Sequence, residues 1–183
     1  MDPLPVGPRP AGPLPAGPLP AVRRIRPEDA ARMRALRLEM LADAPLAFIE
    51  RLADAAARPH REFADRVAQA AVGDRLAQFV AEADGRFVAH AGGLAARDDP
   101  ALTVIFAVYL SPPWRGQGLL AQLVDAVGAW SRSAGRPHLM LEVLVGNTRA
   151  IRAYQRLGFV DTGVRVPHPK IPVLTELQMR RPA

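Results

Sequence analysis

Four residues of this 183-residue chain point first to chemistry: Arg115, Gly116, Gln117 and Gly118. They stand in SPPWRGQGLL, residues 111–120, after the β-branched run TVIFAVYL and before the apolar-periodic run LLAQLVDAVGAW. Glycines at a strand-to-helix turn let backbone amides approach a ligand without interference from a Cβ, and the following helix adds the positive end of its dipole. A pyrophosphate suits such a turn, with Arg115 supplying a full charge. Glycines placed there for steric reasons alone would give the same string. The chain holds neither a GxxxxGK nor a GxGxxG string, so the triphosphatase and dinucleotide readings lack their usual support. Glu142 is the second residue of interest, because it lies in the otherwise apolar run HLMLEVLV and a carboxylate buried there needs a reason.

Composition bounds what these residues serve. With 49% hydrophobic residues the chain is long enough for one domain with a sizeable core. A formal charge of +6 and a pI of about 11.0 favour an anionic partner: nucleic acid, a lipid surface or a polyanionic cofactor. Basic residues are consecutive only as pairs, at Arg23-Arg24 and Arg180-Arg181, which favours a local anion site over a nucleic-acid arm. Cysteine is absent, so disulfides, thiolate metal sites and a cysteine nucleophile are excluded, and acyl transfer must be direct or use oxygen or nitrogen. No His pair has metal-ligand spacing, and no metal is expected. The N-terminus lacks a charged region followed by an apolar core, and no apolar run is long enough to span a membrane; a soluble cytoplasmic protein is expected.

The elements that must position these residues follow from pattern. Residues 1–21 carry a tandem AGPLP, Ala11–Pro15 and Ala16–Pro20, and prolines this dense predict an extended or disordered arm dispensable for the fold. One domain is expected over 22–183. AVRRIR reads as a short strand, and Pro27 opens a helix with Met33, Leu36, Met40 and Leu41 at helical spacing, ending near Pro45. LAFIERLADAAA and REFADRVAQAAVG read as further helical pieces parted at Pro59. Asp84-Gly85 marks a hairpin between two β-compatible runs. ALTVIFAVYL is a strand with few charges, consistent with burial on both faces. Leu119, Leu120, Leu123, Val124, Val127 and Trp130 trace one helical face, closed by Gly135 and Pro137. HLMLEVLV is a buried strand, Asn147 caps the helix TRAIRAYQRL, Gly158 ends it, and GFVDTGVRV with VLTELQMRR closes the chain as a strand pair. The sum is an α/β class with a mixed sheet of six or seven strands, helices on its faces.

VYLSPPWRGQGLL followed by LEVLVGNTRAIRAYQRLGF, residues 141–159, resembles the GNAT superfamily of N-acetyltransferases in both motif order and separation. The resemblance covers nearly all of residues 22–181. It implies a mostly antiparallel sheet and direct transfer of an acetyl group from acetyl-CoA, as co-substrate, to a primary amine. In the family a glycine loop holds the pyrophosphate of the coenzyme; here that window is Arg115, Gly116, Gln117, Gly118, Leu119 and Leu120, with Leu120 where a small residue is usual. The strand around Val108 and Leu110 would pair with the pantetheine arm while LMLEV splays away. Asn147 would lie near the pantetheine, compatibly with its capping role, and Tyr154 would protonate the departing thiolate. Tyr154 as an ordinary packing tyrosine beside Ile151 and Leu157 is the bland alternative.

The incoming amine must lose a proton before attack. Glu142 is the candidate base by environment, against the alternative of an edge-facing or hydrogen-bonded strand glutamate. His90 and His168 are more readily structural. Glu39, Asp43 and Glu50 could bind a cationic amine or form the solvated face of a helix, the second being favoured for at least two of them. The expected partner is an amine acceptor, of a small molecule or protein; nucleic acid and membrane are not expected, and a homodimer stays open. A non-catalytic acyl-CoA sensor or an interaction module docking through the proline arm is the alternative function.

Overall fold

The structure is a computed structural model that describes residues 18–183, so the expectation for the proline arm lies outside the described residues but for 18–21. Of these, Leu19 is half-buried and packs against the main apolar cluster, which is more contact than a solvated arm implies. The chain runs β1 (Val22–Arg24), a 3-10 turn (Pro27–Asp29), α1 (Ala30–Asp43), α2 (Leu52–Ala57), α3 (His60–Ala71), β2 (Leu76–Ala83) and β3 (Arg86–Ala95). There follow β4 (Leu102–Leu110), a second 3-10 turn (Pro112–Trp114), α4 (Leu119–Ser133), β5 (His138–Leu144), α5 (Thr148–Arg156), β6 (Val160–Pro167) and β7 (Thr175–Pro182). Seven strands form one sheet in the order β1-β2-β3-β4-β5-β7-β6. Only β4 and β5 are parallel, and a helical crossover joins them; every other neighbouring pair is antiparallel.

Each face of the sheet is closed by the helix face that the periodicity predicts. Met33, Leu36, Met40 and Leu41 of α1 are buried with Val67 of α3 against Val80, Phe87 and Tyr109. On the opposite face Leu119, Leu123, Val124 and Val127 of α4 are wholly buried against Ala77, Ala91 and Ile105. Gly93 makes that packing close: a Cβ there would stand 2.8 Å from the Trp130 ring and 2.9 Å from Val127. The β2–β3 hairpin turns at Asp84 (φ 50°) and Gly85 (φ 72°), the left-handed pair that matches strand twist.

Two expectations need correction. LAFIERLADAAA is helical only over Leu52–Ala57, because Phe48 inserts beside Tyr109 and Glu50 is drawn onto Arg37 and Arg58, which holds 46–51 as an irregular strap. β4 is not buried on both faces along its length: Phe106, Ala107, Val108 and Leu110 are half-buried, for a reason that lies in the neighbouring strand. Among the described residues no helix is long and apolar enough to cross a membrane.

Candidate active site

β4 and β5 pair only at Leu102–His138, Thr103–Leu139 and Val104–Met140. Beyond that point β5 continues against β7, from Leu141–Met179 to Leu144–Glu176, and β4 is left without a partner on that edge. β4 also bends. His90 faces Tyr109 and Gly92 faces Phe106, so Ala91 opposes two residues and the strand bulges at Ala107, whose φ is 50°. A non-glycine residue in that region costs about 1 kcal/mol or more. His90 holds it there by donating from Nδ1 to the Ala107 carbonyl at 2.7 Å. His90 is 1% exposed, and burial pushes its imidazole down to about 4, so the ring is neutral.

The open edge of β4 leads at its C-terminal end to the glycine turn. Gly116 (φ 80°) and Gly118 (φ 91°) both take the left-handed conformation, and Gly118 is the N-cap of α4. Among the described residues no turn or side-chain hydrogen bond takes the amides of 116–120, which leaves them as unspent donors at a helix N-terminus. A groove of about 400 Å³ starts here, lined by Val108, Leu110, Arg115, Gly116, Leu120 and Asn147, and ends at Tyr154. The Leu119 side chain is wholly buried in the core and Gln117 donates to the Pro113 carbonyl at 2.6 Å, so both offer the groove only their backbone. Leu120, larger than the residue usual at its position, forms wall. Arg115 is less free than its sequence position implies: Nε donates to the Leu110 carbonyl at 2.8 Å, Nη2 pairs with Asp43, and the guanidinium lies over Tyr109. Two further arginines of the groove, Arg149 and Arg156, were missed by sequence reasoning. They stand two helical turns apart on α5, a spacing that carries the signal.

The groove opens into the gap between the splayed strands, about 130 Å³, where Val108, Asn147 and Tyr154 meet Ile105, Glu142 and Glu176. Asn147 Oδ1 accepts from the Ala150 amide at 3.2 Å, so it caps α5 while it lines both spaces. Tyr154 is 9% exposed, its ring set edge-on to Phe159 at 5.8 Å. Burial pushes its phenol far above the usual range, so it carries its proton. Glu142 is exposed, which corrects the expectation of a buried carboxylate: Leu139, Leu141 and Val143 alternate into the core, and Glu142 points from the other face into the gap. Glu176 was not singled out from sequence. The register sets Glu142 opposite Gln178 and Leu144 opposite Glu176, which places both carboxylates diagonally on one face of the β5–β7 pair. Burial pushes the half-buried Glu176 carboxyl up, and the charge of Glu142 adds to the rise.

Other candidates act structurally. Glu39 accepts from Tyr109 and Ser111, Asp43 pairs with Arg115, and Glu50 pairs with Arg37 and Arg58. None of the three is the free helix face that sequence favoured, since each ties the first helical layer to β4, to the glycine turn or within itself. His168 is 3% exposed, and its Nδ1 accepts the amides of Lys170 and Ile171 at 3.2 and 3.1 Å, which shapes the β6–β7 loop as a structural histidine would.

Comparison with known proteins bears on this arrangement. Residues 39–159 match the model of the acetyltransferase (GNAT) family. Mycothiol acetyltransferase of Mycobacterium avium is 40% identical over 82 residues, 38% of this chain and 26% of that protein. Probable N-acetyltransferase family 8 member 5 of Mus musculus is 35% identical over 88 residues, 46% of this chain and 39% of that protein. The chain thus spans well under half the length of these relatives. An acetyltransferase of GNAT family from Streptococcus pneumoniae, 18% identical, superposes with a TM-score of 0.73 over 88% of this chain and 97% of that one, which establishes the common fold. On the family match across most of the domain, together with the splayed sheet and its glycine turn, the chain belongs to the acetyltransferase (GNAT) family.

Proposed function

We propose that the chain is an acetyl-CoA-dependent N-acetyltransferase acting on a primary amine. The observation that carries this reading is the continuity of the phosphate-sized donor row at Gly116–Leu120 with the β4–β5 gap, where an acid and two carboxylates converge. The donor set fits the coenzyme. Free amides at a helix N-terminus and the guanidiniums of Arg115, Arg149 and Arg156 suit its phosphates, and the unpaired edge of β4 at Val108 and Leu110 suits the amides of its pantetheine arm. Bound there, acetyl-CoA supplies an activated acyl group, and transfer makes a C–N bond as the C–S bond breaks.

The residues of the chain do the rest. Glu142, in contact with solvent, accepts the proton released by the incoming ammonium and returns it to water. Glu176, deeper in the gap, adds a second negative charge that favours a cationic amine. Tyr154 gives its proton to the departing sulfur and takes back the one that the nitrogen sheds as it becomes an amide. Burial keeps the phenol protonated, so a proton is in place when the thiolate departs. Asn147 fixes the start of α5 and thereby the position of Tyr154 two turns later. The test is thiol release from acetyl-CoA in the presence of pooled amines, followed by mass identification of the product. Coenzyme binding with no thiol release across amines, amino acids and peptide N-termini would overturn the reading.

A further inference from the structure

A second cavity, of about 150 Å³, lies beneath α1 and α3 and is not used by the chemistry above. Arg37, Glu50, Arg58, Arg66, Gln78 and His90 give it its polar wall. Phe106 and Ala107 line both this cavity and the gap, as Val108 and Tyr154 line both the gap and the groove. The three spaces therefore adjoin in the order groove, gap, cavity. Groove and turn take the donor from one end, and the cavity under α1 and α3 stands at the other. We propose that this cavity holds the acceptor, and that the acceptor is a small primary amine bearing a carboxylate, of amino-acid size. The proposal rests on the acetyl-transfer reading of the gap.

Three features specify that chemistry. The first is a pair of lone pairs. His90 Nδ1 is spent on the Ala107 carbonyl, so Nε2 of a neutral ring is left as an acceptor, and it is buried without a partner. Gln78 Oε1 is likewise buried and unpartnered. Val80 pairs with His90 and Gln78 with Gly92, so the two side chains are diagonal neighbours on one face of the sheet, beside the junction with the gap. An amine held there donates to both. The second feature is charge. Glu50 is shared between Arg37, at 2.9 Å, and Arg58, while Glu62 reaches Arg58 at 3.3 Å from outside the lining. Arg66, exposed at the rim, makes no ion pair among the described residues, so the wall keeps a surplus positive charge for a carboxylate. The third is size. A cavity of this volume is known to admit a molecule as large as benzene, which allows roughly six to nine non-hydrogen atoms. Polycationic acceptors are disfavoured by both charge and volume.

The test compares amino acids with their decarboxylated partners as acceptors in the thiol-release assay: L-serine with ethanolamine, L-valine with isobutylamine, L-methionine with 3-(methylthio)propylamine, and spermidine as a polycation. For at least one pair the amino acid should have a kcat/KM about tenfold or more above its partner, the scale of one charge-assisted contact. Arg66→Glu, a change at an exposed position, should shrink that ratio several-fold, as expected for reversing a partly screened charge. Preference for the decarboxylated amines, for spermidine or for a peptide N-terminus, or an Arg66→Glu effect equal on both members of a pair, would overturn the proposal. Calorimetric titration of the same amino acids into the coenzyme-saturated chain is the second measurement. Binding of none of them overturns the acceptor site whatever the turnover, whereas thiol release with other amines would leave the acetyl-transfer reading standing.

Discussion

Replacing Tyr154 by Phe removes one oxygen from the centre of the gap and tests the assignment of the acid. The structure sets the size of the expected effect on each observable. The ring is 9% exposed and its packing is apolar, with Phe159 edge-on at 5.8 Å, and Phe keeps all of it. Burial alone raises the phenol, with no hydrogen bond or charge among the causes, so the substitution breaks no bond within the chain. Stability should change by no more than about 0.5 kcal/mol. The coenzyme dissociation constant should hardly move, because the phosphates are held at Gly116–Leu120 and by the arginines rather than by this hydroxyl. Turnover should fall about 10²–10⁴-fold, or roughly 3–5 kcal/mol in the barrier at about 1.36 kcal/mol per decade. The assay is steady-state thiol release with the acceptor found by the amine screen, set beside calorimetry of coenzyme binding and a thermal melt. Parent-like turnover would reduce Tyr154 to a packing residue. A slow variant whose coenzyme affinity has dropped by the same factor would make it a binding residue.

Gly118→Val should raise the coenzyme dissociation constant about tenfold or more while the chain stays folded. Only Leu19 stands near a new Cβ, at 3.8 Å, so the cost is the φ of 91° that a β-branched residue resists, and relief moves the amides off the phosphate; unchanged affinity by calorimetry would remove the loop from the site. Glu142→Gln should cut turnover about 100-fold or more with the melting temperature unchanged, since the side chain is exposed; parent-like turnover would shift the base to Glu176. Asp29, wholly buried, has its carboxyl lowered from 3.8 to about 2: burial opposes ionisation, but hydrogen bonds from the Arg23 guanidinium and the Arg26 amide, with Arg32 beside them, outweigh it. A depressed carboxylate stabilises the fold above its unfolded value, so about 2 kcal/mol should be lost as pH falls from about 4 through 2. Asp29→Asn should lower the melting temperature at neutral pH and flatten that acid slope; an unchanged slope would show that other carboxylates set it.

Much of the fold was legible because local chemistry and tertiary demand coincide. Asp84-Gly85, the α4 face, the Asn147 cap and the succession of elements along the chain each rest on one residue type having one cheap conformation or one buried face. Elsewhere the signal was non-local. Glu176 sits 34 positions after Glu142 in number and beside it in space, and nothing in TELQMRR announces that β7 will pair with β5. Glu142 was expected to be buried because its strand is apolar at six of seven neighbours, yet strand alternation turns it away from the core side of β5 and into the gap. Arg149 and Arg156 were readable at their seven-residue spacing, and the cap and the tyrosine drew the eye past them. Ala107 carries no mark at all: alanine rarely takes a positive φ, and only the His90 bond across the sheet explains why this one does.

That bond joins the stability of the sheet to its chemistry. β5 has satisfied its outer edge on β7 and its first three residues on β4, so a straight β4 would continue the parallel ladder and close the gap. The bulge at Ala107 turns β4 away where the ladder stops, and the left-handed residue at its centre costs about as much as one buried hydrogen bond returns. The imidazole makes that bond as a neutral, buried ring: its protonated form would keep the bond but is disfavoured by burial and by Arg37, and would place a charge between α1 and the sheet with no carboxylate among its direct hydrogen-bond partners. The opening is thus held by a residue that touches neither the groove nor the acid. His90, which sequence reasoning treated as structural, is structural in the way that makes the site exist, and the ring atom that this duty leaves unused is the one that faces the space beyond the gap.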